Sequence, residues 1–234
     1  IDGSENSYVD FIKGNTTLTI GNDHILNGDY NIVPRVGENM ADEIAGLAPD
    51  GTNSMKFSQS QGTIKESMGL GVVQKMDIGT VAFNYAPHNG TKATTGDTRV
   101  GDNTALSSYE IMFAGGFGVP GLNTAINYSS AAKNSTQTDD ATLKAFGASY
   151  TVGGVKFGAE MAKYTLATGA ENNTQEIGVT FKVSDQVSMG IGQTKTDGKS
   201  AAGVDTAEDE KITYLQVGYN LGAVGLGLSY IDAD

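Results

Sequence analysis

Six carboxylates crowd one stretch between Asn22 and Ser54: Asp23, Asp29, Glu38, Asp42, Glu43 and Asp50, with Arg35 as the single clear cation among them. Acids at this density could bias the passage of ions, bind a hard cation, or simply solvate a surface. They do not make a catalytic set. Bond-breaking chemistry needs a nucleophile with a base beside it, and only two histidines, His24 and His88, are present. No HExxH spelling and no convincing Ser–His–Asp order occurs. The chain is therefore read as no enzyme, with no catalytic residue. A lone His24 beside Asp23 and Asp29 is a poor metal site. The acid runs Asp139–Asp140 and Glu208–Asp209–Glu210 lack the spaced loop of a dedicated calcium site. No cofactor and no metal is expected.

Composition narrows the class further. The chain has 234 residues, no Cys, no Trp and a formal net charge of −12. Absent Cys excludes disulfides and thiolate metal sites. The acidic balance argues against nucleic acid, which needs clustered Lys and Arg. Glycine is abundant at 32 and proline scarce at 4, unlike a disordered Pro/Gly-rich chain. No window approaches eighteen consecutive apolar residues, so no transmembrane helix is expected. The chain opens Ile1–Asp2–Gly3, shows no signal peptide and stops directly after a strand pattern. Both ends read as cut.

The elements that would position the acids are strands. Residues 6–13 and 16–21 read as a hairpin around Gly14–Asn15. Some forty irregular residues follow, holding the acids. Such a segment inside a regular β protein is uncommon and is usually functional. Within it, Asn39 to Leu47 reads as a short helix, with Asn39 as N-cap and Asp42 and Glu43 in the first turn. From Glu66 onward, period-2 alternation recurs in strands of about nine to eleven residues, with a hairpin roughly every 33 residues. Turns at one end take two or three residues. Loops at the other end cover about 88–105, 132–140, 166–173 and 196–209.

One face of each strand is Val, Ile, Leu, Phe and Tyr. The other is small or polar, with charges at Glu110, Lys144, Lys156, Glu160, Glu176 and Lys182. A soluble sandwich shows the same alternation, with the polar face outward. Strand length, the turn asymmetry and tyrosines near strand ends (Tyr85, Tyr109, Tyr128, Tyr150, Tyr164, Tyr219 and Tyr230) favour a transmembrane barrel, whose polar face lines a wet lumen. On that reading the six wall charges above face the lumen.

The run Tyr8–Asn22, Tyr-Val-Asp-Phe-Ile-Lys-Gly-Asn-Thr-Thr-Leu-Thr-Ile-Gly-Asn, resembles a hairpin of the Gram-negative general porins, most of all the alphaproteobacterial Rhodobacter-type porins. The resemblance extends along the whole chain as a hairpin series. It implies an all-β, antiparallel, 16-stranded barrel in the outer membrane of a Gram-negative bacterium. About twelve strands, the fourth to the fifteenth, would be present as a single domain over 1–234. Residues 22–65 would be the constriction loop, folded inward. Asp23, Asp29, Arg35, Glu38, Asp42 and Glu43 would then line the constriction, with Glu38, Asp42 and Glu43 foremost and Arg35 as an ion-pair partner. The family's usual C-terminal aromatic residue is missing, which agrees with a trimmed end. The resemblance also implies a homotrimer in contact with outer-membrane lipid and lipopolysaccharide, passing small hydrophilic solutes and ions. Excess acid adds a weak cation preference. The competing reading is a soluble secreted β-sandwich or repeat adhesin.

Overall fold

The computed structural model describes residues 7–22, 69–87, 107–133, 139–166, 168–203, 210–222 and 224–233. They form twelve strands: β1 (Ser7–Lys13), β2 (Thr16–Asn22), β3 (Gly69–Met76), β4 (Gly79–Ala86), β5 (Ser108–Gly115), β6 (Leu122–Ala131), β7 (Ala141–Val152), β8 (Val155–Thr165), β9 (Glu171–Lys182), β10 (Val187–Lys199), β11 (Glu210–Asn220) and β12 (Gly225–Ala233). All twelve join one sheet in chain order, each antiparallel to the last. A sandwich would divide them between two packed sheets. One continuous meander removes that reading.

Side-chain burial runs opposite to that of a soluble protein. Large apolar residues are exposed: Phe146 at 46%, Phe157 at 48%, Ile177 at 58% and Leu228 at 71%. Polar ones are covered, with Asn84, Glu110, Glu176 and Gln216 at 2% or less. The register explains how one sheet does both. Ile126, Phe146 and Met161 meet across β6, β7 and β8 on the outer face. Asn84, Glu110 and Ser129 meet across β4, β5 and β6 on the inner face. Buried apolar clusters among the described residues are small, Ala125–Ala145 with Ala162, and Ala82–Met112 with Val73. They sit on the inner face, so the sheet has no oil-like core between layers. Its apolar surface is turned outward, as a barrel wall in lipid requires.

Connections alternate as the sequence predicts. Residues 14–15, 77–78, 153–154 and 183–186 turn the chain at one end, and 132–140 and 200–209 span the other. Gly14 and Gly153 take φ of +57° and +58°, a conformation glycine adopts without steric cost. Two expected loops are shorter than their polarity suggests. Asn172–Asn173–Thr174 belongs to β9 and pairs with Thr196–Asp197–Gly198 of β10. Thr174 and Thr196 hydroxyls lie 3.4 Å apart across that ladder. Strands rising above an apolar belt no longer need an apolar outer face, so the alternation fades while the ladder continues.

Strand length is uneven around the sheet. β1 and β2 have 7 residues and β3 to β5 have 8. β7, β9 and β10 have 12, 12 and 13.

Candidate functional site: the inner wall

The inner wall is built from the even-numbered residues of β4, β5 and β8 to β11 and the odd-numbered ones of β6 and β7. Glu110 comes from β5 and is fully covered. Asn127, from neighbouring β6, donates its amide to Glu110 Oε1 at 2.6 Å. A carboxylate out of bulk water needs such donors. Glu160 and Glu176 are directly opposed across β8 and β9, at 7% and 2% exposure. The Tyr214 hydroxyl of β11 donates to Glu176 Oε1 at 2.9 Å, reaching across β10. It can do so because the intervening residue is Gly192. Any Cβ there would occupy the space of the Tyr214 ring. Like charges directly opposite each other in a ladder are unfavourable.

Lys156 and Lys182 share this face, near the short turns at 153–154 and 183–186. Lys182 Nζ pairs with Asp185 at 2.7 Å. That hydrogen bond holds the exposed Asp185 carboxyl below the usual carboxylate range. Cations therefore gather at the short-turn end, and the buried acids lie farther up the wall.

Lys144, expected in the lumen wall, is on the other face. It follows Leu143 and precedes Ala145, both buried, and shares its exposed side with Phe146. Its cross-strand neighbours are Tyr128 and Lys163. Polarity alone suggested the lumen; the strict period of 2 decides otherwise. Tyr164 is corrected in the opposite direction. It is even-numbered in β8 with Glu160 and belongs to the inner face, whereas Tyr85, Tyr109, Tyr128, Tyr150, Tyr219 and Tyr230 lie outward. Tyr109 and Tyr128 pack with ring centroids 5.9 Å apart. Asp23, Asp29, Arg35, Glu38, Asp42 and Glu43, the expected inward fold of 22–65, and both histidines lie outside the described residues.

Three inner-wall participants go unremarked in the sequence pattern: Asn127, Tyr214 and Asp10. Asp10 accepts from the Thr19 hydroxyl at 2.6 Å. Asp10 shares its side of β1 with Tyr8 and Ile12, 48% and 72% exposed, so no polar stripe marks it. Asn127 and Tyr214 fall on the covered side of their strands, and the alternation could have pointed to them. Reach across an intervening glycine could not.

A wall with apolar residues outside, acids inside and alternating turn lengths is the geometry of a bacterial outer-membrane channel. The Gram-negative porin family model matches residues 2–234. The chain belongs to the Gram-negative porin family. Solved structures share its fold at low identity. A porin refined at 1.8 Å is 14% identical with a TM-score of 0.64, covering 97% of this chain and 75% of that one. OmpT of Vibrio cholerae is 18% identical with a TM-score of 0.56, covering 98% and 70%. The channel DcaP of Acinetobacter baumannii is 12% identical with a TM-score of 0.60, covering 97% and 67%. No curated protein sequence matches it. The porin is an outer-membrane β-barrel and a passive diffusion channel rather than an enzyme.

Proposed function

We propose that this porin passes small hydrophilic solutes with a weak preference for cations, and that it works as a homotrimer in outer-membrane lipid and lipopolysaccharide. The opposed Glu160–Glu176 pair on the inner wall carries the selectivity reading. Rings or patches of one charge sign in a pore bias ion passage. Glu110 adds a third acid to the same face, while Lys156 and Lys182 set a weaker opposing field at the short-turn end. Asp23, Asp29, Glu38, Asp42 and Glu43, with Arg35, would add to the acidic side if residues 22–65 fold inward as the family's constriction loop does.

Two observations support the trimer. OmpT of Vibrio cholerae, which shares the fold, occurs in a trimer form. The eight-residue strands β4 and β5 also fall short of the nine to eleven residues a tilted strand needs to cross a bilayer. A low side of the wall is best covered by other copies.

Reversal potentials across a planar bilayer holding a salt gradient test the selectivity. A cation-side potential is expected. A potential on the anion side overturns the preference and leaves the channel intact. Cross-linking in native membranes tests the trimer.

A further inference from the structure

The inner wall carries a recess beside the opposed acids. Ser149, Gly158, Gly178, Gly192 and Tyr214 stand in one register row across β7 to β11. The glycines of β8, β9 and β10 leave the middle of that row without side chains. The Tyr214 ring covers Gly192. Gly158 and Gly178 stay half-exposed, so the lane between Ser149 and Tyr214 is open to the lumen. Small residues alone would make only a thin place in the wall. Ser149 gives this one a chemical direction. It is 2% exposed, and its Oγ has no hydrogen-bond partner among the described residues. A covered hydroxyl left so costs stability until a polar group meets it. Its cross-strand neighbour Gly158 has no side chain to do so.

The rows on either side carry opposite charges. Toward the long-loop end, Glu160 and Glu176 face each other across β8 and β9. Toward the short-turn end stands Lys156, half-buried, in register with Thr151 and Thr180. Lys156 has no ion-pair partner among the described residues. At ~3.3 Å per residue, the Cα atoms of Lys156 and Glu160 lie about 13 Å apart along β8. An extended two-residue peptide covers about 7 Å of that interval at ~3.5 Å per residue, and the Lys156 and Glu160 side chains cover the remainder. A single amino acid has no polar group between its charged ends to meet Ser149.

We propose that this lane holds a short zwitterionic peptide in transit, its ammonium between Glu160 and Glu176, its peptide group against Ser149 and its carboxylate on Lys156. The proposal rests on the channel and on the cation preference above, because the same acid pair takes the ammonium. Charge-assisted hydrogen bonds at both ends fix the orientation, amino end toward the long loops. Both charges sit on one wall and are spaced along the strands, so the peptide lies over β8 and β9. The Tyr214 ring closes the lane on the β11 side. A simple cation uses one end of the lane and a simple anion only the other.

The test uses the full chain in planar bilayers, with the fall in single-channel conductance read against added solute. Glycylglycine, glycylglycinamide (no carboxylate) and N-acetylglycylglycine (no ammonium) are titrated separately. Glycylglycine is expected to halve the conductance at a concentration about fivefold below that of either analogue. Lys156→Gln should remove its advantage over glycylglycinamide and keep the other. Glu160→Gln/Glu176→Gln should do the converse. Ser149→Ala should weaken glycylglycine about threefold, and Lys144→Gln, on the outer face, should leave all three titrations unchanged. Equal action of the three solutes on the unmodified chain overturns the proposal, whether or not a variant folds. An advantage of glycylglycine that survives both sets of substitutions also overturns it, by placing the preference elsewhere in the bore. Reversal potentials are recorded in the same bilayers without peptide. An anion-side potential would overturn the cation preference, while the order of the three solutes would still decide the peptide lane.

Discussion

The two faces of β8 carry opposite solutions to one problem. On the outer face Lys163 opposes Lys144 of β7; on the inner face Glu160 opposes Glu176 of β9. Both are like-charge pairs in direct register, an arrangement that costs stability. On the outer pair, Glu171 supplies a counter-charge to Lys163 at 2.7 Å. On the inner pair, the Tyr214 hydroxyl donates to Glu176 at 2.9 Å. The same local cost thus falls on both faces, and on the inner face the proposed cation preference gives it a use. A wall one residue thick keeps the two apart through side-chain parity alone.

The largest effect should come from breaking that parity. Lys156 and Phe157 are chain neighbours, and the native charge at 156 faces inward. Phe157 is outward and packs on Tyr150 with ring centroids 5.9 Å apart. Phe157→Arg places a cation in the apolar belt and should cost about 2–4 kcal/mol, read by urea unfolding of the barrel in vesicles. Lys156→Gln should change the same measurement by less than about 0.5 kcal/mol. Equal costs at the two positions would mean that the faces are not divided between lipid and water.

Next comes the brace behind the inner acids. Gly192 leaves room for the Tyr214 ring, whose hydroxyl holds Glu176. Gly192→Val should displace that ring and cost about 1–3 kcal/mol from overpacking. Tyr214→Phe keeps the ring in place and removes only the donor, so it separates packing from hydrogen bonding. Its cost should be about 1 kcal/mol. A Gly192→Val barrel as stable as the parent would show that the ring does not need this position.

These cases also show what was legible beforehand. Strand existence, the outward apolar set and the inward placement of residues such as Thr17, Asn84 and Glu110 follow from period-2 alternation, which the sequence displays openly. Residue type points Lys144 to the lumen, whereas its parity with Phe146 two positions on turns it outward. The upper ends of β9 and β10 read as loop in the sequence because both of their faces are polar there. The Tyr214–Glu176 contact spans 38 residues of sequence and depends on the register of three strands. No local pattern encodes that.

A smaller effect is expected from the inner pair itself. A carboxylate about 7 Å from a passing cation contributes about 0.6 kcal/mol in a water-like dielectric, reduced to about 0.3 kcal/mol by 0.1 M salt. Glu160→Gln or Glu176→Gln should therefore lower the cation-to-anion permeability ratio about two- to threefold in dilute salt, with less change as salt rises. Removing one member also relieves the like-charge opposition, so Glu160→Gln should be as stable as the parent or slightly more so. Lower selectivity with unchanged or higher stability is the outcome that separates a selecting pair from a structural one. Loss of stability with unchanged reversal potential would assign the pair to the fold.

The smallest effect belongs to the short-turn end, where the charges are exposed. Lys182 pairs with Asp185 at 2.7 Å in the turn after β9, and Asp185 is held below its ordinary carboxylate range by that bond. A depressed carboxyl contributes its stabilisation above the unfolded-state pKa and loses it as pH falls through the lower, folded-state value. In so exposed a pair the contribution is slight. Asp185→Asn should leave the neutral-pH unfolding midpoint almost unchanged. It should, however, uncover the inward-facing Lys182 and move the reversal potential slightly toward anions. Because protonation does to Asp185 what the substitution does, parent and variant should converge as the pH is lowered through the carboxylate range. A difference that persists in acid would place the effect elsewhere than in this carboxyl.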